Sequence, residues 1–346
     1  MRRTRVGVLV VLLIVILGAI TASAEQYMNA FFFYVGQAEA TLLKGPNFAV
    51  LVDAGDQGRY DVVPLLKRAG VEELDLVIIT HPHADHIGQL PDVMREIPVK
   101  EVWMSGVEHF TPAFEAAIDA VLDTDAGYYE PRAGEKFNVG SLTLEILNPV
   151  EAEEDVHESC LAIRAVYGDF AIVLTGDIEA RTEMEILRRR HPVKAQILQL
   201  GHHGSRTSTS VEFLEAVDPE VAIYSAARCS EYDHPHIQVV ERILQRGIIL
   251  YGTDAYGIVR VISDGNDYWI ETEWEPALYG GVFGQIDINK APYEELIKIR
   301  NIGAQRAGEI LRLRPFESLD DLLQIRGIGP AVLRDIKAQG IAFVGE

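Results

Sequence analysis

Four candidate metal ligands, His81, His83, Asp85 and His86, fall within six residues directly after the run Asp75-Leu76-Val77-Ile78-Ile79. A short apolar run of this kind is a buried strand, so Thr80-His81-Pro82-His83-Ala84-Asp85-His86-Ile87-Gly88 must turn at the strand's mouth. Imidazole nitrogen and carboxylate oxygen are what borderline-soft Zn²⁺ takes. The turn can aim His81 and His83 at one ion and Asp85 and His86 at another. Two ions about 3.5–4 Å apart make water ionise near neutral pH. A solvated histidine-rich loop would share this composition but would not follow an apolar strand so directly.

At 346 residues the chain exceeds one ordinary core. Arg2, Arg3 and Arg5 precede the apolar stretch Val6 to Ile20 and then Thr21-Ala22-Ser23-Ala24. That order is the pattern of a secretory signal, residues 1–24, cleaved after Ala24. An uncleaved anchor is the competing reading, but the stretch falls short of the roughly 20 residues a spanning helix needs. The formal net charge is −21, and residues 285–346 hold nine Lys or Arg against nine Asp or Glu. Of the chain's 31 basic and 52 acidic groups, the other residues therefore carry 22 and 43. So acidic a body repels polyanions at long range, and nucleic-acid contact must be local. Cys160 and Cys229 are the two cysteines; one disulfide and two buried thiols both stay open.

From Met28 onward, short apolar runs alternate with helically spaced segments, a pattern of sheets covered by helices. Strands are expected at Phe31 to Val35, Phe48 to Val52 and nine later runs. Helices are expected over Val62 to Ala69, Leu90 to Glu96, Pro112 to Leu122, Ile178 to Arg190 and Ile237 to Arg246. Residues 25–276 form this body, and the Gly-rich residues 277–284 read as a linker. In residues 285–346 the stretch from Glu294 to Gly303 repeats as Asp320 to Gly329, 26 residues later. Each copy reads as a helix, a Gly-containing hairpin and a second helix.

More candidate ligands stand at other strand ends: His157, Asp177 in Thr175-Gly176-Asp177, and His202 and His203 in Gly201-His202-His203-Gly204-Ser205. Together with Val35-Gly36-Gln37, Val52-Asp53-Ala54-Gly55 and His234-Pro235-His236, these motifs resemble the metallo-β-lactamase superfamily. Within it they look like the extracellular domain of ComEC-type competence proteins, over roughly Met28 to Trp274. The resemblance implies an αββα sandwich with two divalent ions, zinc, with manganese or iron as alternatives. It places His81, His83 and His157 on the first ion, and Asp85, His86 and one of His202 and His203 on the second, with Asp177 bridging. His202, the first residue past the strand-ending glycine, is the favoured member of that pair, and Asp53 orients a ligand from behind. Asp85 or Asp177 would orient water or accept its proton. His234 or His236 would serve as general acid or as donor to phosphate. Ser205, Thr207, Ser208, Thr209 and Ser210 line a phosphate path or form a turn. Two departures stand out: His157 replaces an Asn, and Gly36-Gln37-Ala38-Glu39 replaces Gly-Gln-Gly-Asp.

The C-terminal repeat resembles the helix-hairpin-helix DNA-binding domain of ComEA-type receptors, a small all-α module. Its hairpins, Asn301-Ile302-Gly303 and Gly327-Ile328-Gly329, would bring helix N-termini close to phosphate. Lys298, Arg300, Arg326, Arg334 and Lys337 would be supporting cations. The whole chain therefore reads as an exported phosphodiesterase or nuclease acting on extracellular DNA. Its partners would be DNA and a cell-surface DNA-uptake machinery, and the membrane only through an uncleaved N-terminal segment. The rivals are a hydrolase of a small or cell-wall phosphodiester or lactone, and a non-catalytic DNA-capture protein.

Overall fold

The computed structural model describes residues 27–59, 61–228, 230, 232–274, 286–299, 301–339 and 341–345. The signal-like segment, the linker, Cys229 and Arg300 lie outside the described residues. Eight strands form the first sheet: β1 (Met28–Phe32), β2 (Thr41–Gly45), β3 (Phe48–Val52), β4 (Leu76–Ile78), β5 (Glu101–Trp103) and β6 (Gly127–Tyr129), with β14 (Val259–Ser263) and β15 (Tyr268–Thr272) beyond β1. The second sheet has seven, from β7 (Lys136–Val139) through β8 (Leu142–Asn148), β9 (Ala162–Tyr167), β10 (Phe170–Leu174), β11 (Ile197–Gln199) and β12 (Val221–Tyr224) to β13 (Ile249–Gly252). Three apolar clusters account for the four layers. One joins the facing sheets through Phe32, Val50, Ile78, Leu144, Phe170 and Ile172. A second packs helices 62–68, 90–96 and 112–122 on the first sheet. The third packs helices 180–189, 211–217 and 237–244 on the second. This is the αββα sandwich.

Sheets buried on both faces read as unbroken apolar runs, which is why β3, β10 and β12 were visible in the sequence; every residue of each is buried. The first strand differs from expectation. It spans Met28–Phe32 rather than Phe31 to Val35, because its alternating pattern fits between β14 and β2. Phe33 and Val35 stay buried but leave the sheet toward Gly36.

β3 and β4 are parallel, as are β10, β11 and β12, so their carboxyl ends gather at one edge of the sandwich. There the chains cross between sheets. The Leu161 N–H, ahead of β9, donates to the Thr80 carbonyl, past β4, at 2.7 Å, and within the second sheet's edge the His202 N–H donates to the Gly176 carbonyl at 3.0 Å. Gly176 has φ +49, and a Cβ there would sit 2.6 Å from Cys160 Sγ and 2.8 Å from Thr80 Cβ. Only glycine lets the two sheet edges close to this distance. Gly176→Ala should therefore cost about 2–4 kcal/mol, combining left-handed backbone strain with overpacking, as read from a shifted urea midpoint.

The C-terminal module has its own core, with Ile288, Leu296, Ile310, Leu322 and Ile336 fully buried. Helices Ala304–Leu313 and Pro330–Gln339 carry it, and a two-residue pairing of Ile286–Asp287 with Ala342–Phe343 ties its ends together.

Candidate metal centre

The site grows from Asp53 and Thr80, the residues that follow β3 and β4. Asp53 is fully buried and holds φ 60. Its carboxylate accepts the Thr80 N–H and hydroxyl, each at 2.8 Å, and His86 Nδ1–H, also at 2.8 Å. A helical turn over Ala84–Ile87 carries Asp85 and His86. With Nδ1 spent on Asp53, His86 turns Nε2 toward Asp177, whose Oδ1 is 3.4 Å away. His81, also fully buried, places Nε2 3.6 Å from Asp177 Oδ2 and 3.0 Å from His83 Nδ1. The two oxygens of Asp177 thus face different imidazole sets.

The ligand-type atoms sort into groups: His81, His83, His157 and Asp177 in one, and Asp85, His86 and His203 in another. The favoured residue of the 202/203 pair is corrected here. His203, not His202, joins Asp85 and His86, with Nε2 3.2 Å from Asp85 Oδ2 and 4.0 Å from Asp177 Oδ1. Its Nδ1 meets the Ser225 carbonyl at 3.0 Å, which fixes the ring. Both histidines have positive φ, 52 and 55, and this tight turn sets His202 beside His157 and Glu179, with Nε2 3.6 Å from Asp177 Oδ2.

Four buried polar atoms of the cluster, His86 Nε2, Asp177 Oδ1, His157 Nε2 and His202 Nδ1, have no hydrogen-bond partner. Each such atom costs roughly 1–3 kcal/mol if left alone. Unpartnered imidazole nitrogens converging beside two carboxylates are what a divalent cation would satisfy, taking the place of the proton on His86 Nε2, so the donor set fits metal. Burial, reinforced by His86, holds His81 well below the ordinary histidine range. Burial and His157 push His83 down to about 4. Both are therefore neutral donors at pH 7. Burial opposes the charge of His86, but Asp177, Asp53 and Asp85 outweigh it and raise that residue well above 6.5. Burial likewise opposes the charge on Asp177, yet His86, His203 and His81 hold its carboxyl well below the usual range. Asp177 and Asp85 bring negative charge, and Cys160 packs behind: its Sγ accepts the Asp177 N–H at 3.3 Å and lies 3.8 Å from His81 Nδ1. Burial pushes the Cys160 thiol up, so it stays protonated.

Glu39 was visible in the sequence only as a departure from a motif. In the structure it is buried behind His203, accepting the Ser225 hydroxyl at 2.8 Å, and burial pushes its carboxyl up to about 7. Gln37 was likewise missed. Its Oε1 accepts the Ala227 N–H at 3.2 Å, which points its amide nitrogen at His234 Nδ1, 3.3 Å away. His234, pushed down to about 4 by burial and by His203, is neutral. With Nδ1 accepting, its proton rests on Nε2. The His234 ring lies 5.8 Å from that of His202 and 6.1 Å from that of His203. His236 stands farther out as the N-cap of helix 237–244, its Nδ1 accepting the Arg206 N–H at 3.2 Å. Three members of the Ser/Thr run hold the local structure. Ser208 donates to the Ile178 carbonyl at 2.8 Å, Thr209 Oγ1 accepts the Gly201 N–H at 3.3 Å, and Ser210 caps helix 211–217.

In the C-terminal module Asn301 and Gly327, equivalent across the repeat, have φ 65 and 87. Asn occupies the left-handed turn as the sequence suggested. Arg306 bridges the hairpins, donating to the carbonyls of Asn301 and Gly327. Ile302 and Ile328 are corrected: their side chains are buried and their N–H groups donate to Ile299 and Ile325 at 2.9 and 3.0 Å, so they anchor the hairpins and offer nothing outward. A Cβ on Gly303 or Gly329 would meet nothing within 4 Å. Arg326 and Arg334 are exposed, whereas Lys298 pairs with Glu295 and Lys337 with Asp320.

The sequence profile of the Metallo-beta-lactamase superfamily matches residues 33–228, and the chain belongs to that superfamily. A Helix-hairpin-helix motif matches residues 282–339. ComE operon protein 3 of Bacillus subtilis is 28% identical over 247 residues, 65% of this chain and 32% of its own length. Recombination protein 2 of Haemophilus influenzae is 31% identical over 235 residues, 66% of this chain and 28% of its own. The ComEC-type resemblance therefore stands, and the chain spans about a third of these relatives' length. A protein named deoxyribonuclease, from Thioalkalivibrio, is 44% identical over 61 residues, 18% of this chain and 17% of that one. No helix among the described residues is long and apolar enough to cross a membrane.

Because Asp53 fixes the tautomer of His86, Asp53→Asn, which can donate to Nδ1 and move the ring proton to Nε2, should weaken metal binding about 10- to 100-fold. Competition with a chromogenic chelator measures this. Chelator-treated protein should regain thermal stability on adding Zn²⁺ or Mn²⁺, and Asp177→Asn should remove most of that gain.

Proposed function

We propose that this chain is an exported, metal-dependent phosphodiesterase that cuts DNA captured by its C-terminal module. The observation that carries the reading is Asp177, one buried carboxylate whose two oxygens face two separate imidazole sets. In this reading His81, His83, His157 and Asp177 hold one ion, and Asp85, His86, His203 and Asp177 the other. Bound there, two divalent ions make water ionisable near neutral pH and neutralise charge on phosphate oxygens. Asp53 keeps His86 in the tautomer that presents a lone pair. Asp85, partly exposed at the mouth, is placed to accept a proton. His234 holds its proton on Nε2, through Gln37 and Ala227, and offers it to a phosphate or leaving oxygen.

The C-terminal module supports nucleic acid as the substrate. The first-turn N–H groups of helices 304–313 and 330–339 have no partner inside their helices, and Gly303 and Gly329 leave the space before them open. Phosphate fits such a site. A tether between capture and cleavage raises the local concentration of DNA at the metals, which offsets repulsion from an acidic body. That same acidity favours a second reading, hydrolysis of a small cationic phosphodiester with the module as an adapter.

Asp is a good helix N-cap, so Gly303→Asp with Gly329→Asp should leave folding intact while repelling phosphate. The double variant should cleave plasmid about tenfold more slowly at low salt and hydrolyse bis-nitrophenyl phosphate at the wild-type rate. Equal plasmid cleavage by both proteins favours the small-substrate reading. Wild-type protein inert toward every phosphodiester with Zn²⁺ or Mn²⁺ contradicts the enzyme.

A further inference from the structure

Two large exposed aromatic side chains, Tyr232 beside a ring of the metal centre and Phe110 next in sequence to His109, have no structural partner role among the described residues. Phe110 is 81% exposed and Tyr232 66%. Tyr232 lies over His234, ring centroids 5.8 Å apart and planes within 29°. On the other flank Phe110 follows His109, whose ring is 5.3 Å from that of His83. The rings of His109, His83, His157, His202, His234 and Tyr232 form an arc around the cluster, successive centroids 4.8–5.8 Å apart. One end of the arc is the exposed Tyr232 and the other adjoins the exposed Phe110.

Charge cannot supply the grip here. The body, residues 25–276, carries 19 basic against 43 acidic groups, and a polyanion approaching it is repelled. Stacking of a base on an aromatic face does not depend on net charge and tolerates any sequence. Inside a duplex each base face is already covered by its neighbours, so an exposed ring stacks at least cost on an unpaired base.

We propose that Phe110 and Tyr232 are base-stacking platforms on the two sides of the scissile phosphate, so that the centre takes unpaired nucleic-acid strands in preference to duplex. This rests on the phosphodiesterase reading above.

The test uses the full-length protein with Mn²⁺ or Zn²⁺, the variants Phe110→Ala and Tyr232→Ala, and two short single strands of equal length, oligothymidylate and its abasic analogue. Both side chains are exposed, so the variants should fold as the wild type does. Each should lose about tenfold in kcat/KM on oligothymidylate, mainly through KM, and nothing on the abasic strand. Fluorescence anisotropy of the same strands on chelator-treated protein gives a second readout. Phosphate contacts by the C-terminal module treat the two strands alike, whereas the preference for oligothymidylate should shrink in both variants. Unchanged kcat/KM and unchanged preference in the variants overturn the platforms even if the wild type is an active nuclease. An inert wild type whose base preference is still lost in the variants overturns the enzyme reading and leaves the platforms standing.

Discussion

The fold's edge is organised around a carboxylate that has almost no water. Asp177 is 2% exposed, and removing such a charge from solvent costs several kcal/mol unless something opposes it. Here the opposition is distributed. His81, His86, His202 and His203 all bring Nε2 within 4.0 Å of it, and the Cys160 thiol receives its backbone N–H. All four of those imidazoles reach Asp177 from other strand ends. The carboxylate is thus tolerable only where both sheets meet, and the meeting is tolerable only because Gly176 has no side chain.

Support for this cluster is arranged in depth. Asp53 and Glu39, both fully buried, stand behind His86 and His203 respectively, and each is held in turn by a hydroxyl, from Thr80 or Ser225. A ring nitrogen fixed from behind leaves the other free to face inward. The same device recurs at the rim, where the Ala227 N–H fixes the Gln37 amide and Gln37 fixes His234. The tautomer of His234 is therefore set, through Gln37, by a backbone group that cannot titrate.

Much of this was legible because buried strands announce themselves as apolar runs and their ends carry the polar residues. His81, His83, Asp85, His86, His157 and Asp177 were read as candidates by that logic, with His203 second to His202, and the structure gathers their ligand atoms into neighbouring groups. What was hidden depended on turns. His202 and His203 follow the same strand, and only two successive left-handed backbone angles decide which one faces Asp85. Strands β6, β7 and β15 left little trace because they are edge strands with partly or wholly exposed residues, where no apolar run is required. Glu39 was unreadable for a different reason: a lone acidic residue after Gly36-Gln37-Ala38 looks like surface until the distant Ser225 is placed above it.

Arg306 has one more consequence. By holding the carbonyl of one hairpin and the carbonyl of its duplicate with a single planar guanidinium, it makes the duplicated unit a caliper with a fixed jaw opening. Under the proposed reading, a ligand that engages both jaws presents two anionic points at a matching interval. A regularly spaced polymer does so at every step along its length, while an isolated small anion can occupy only one jaw at a time.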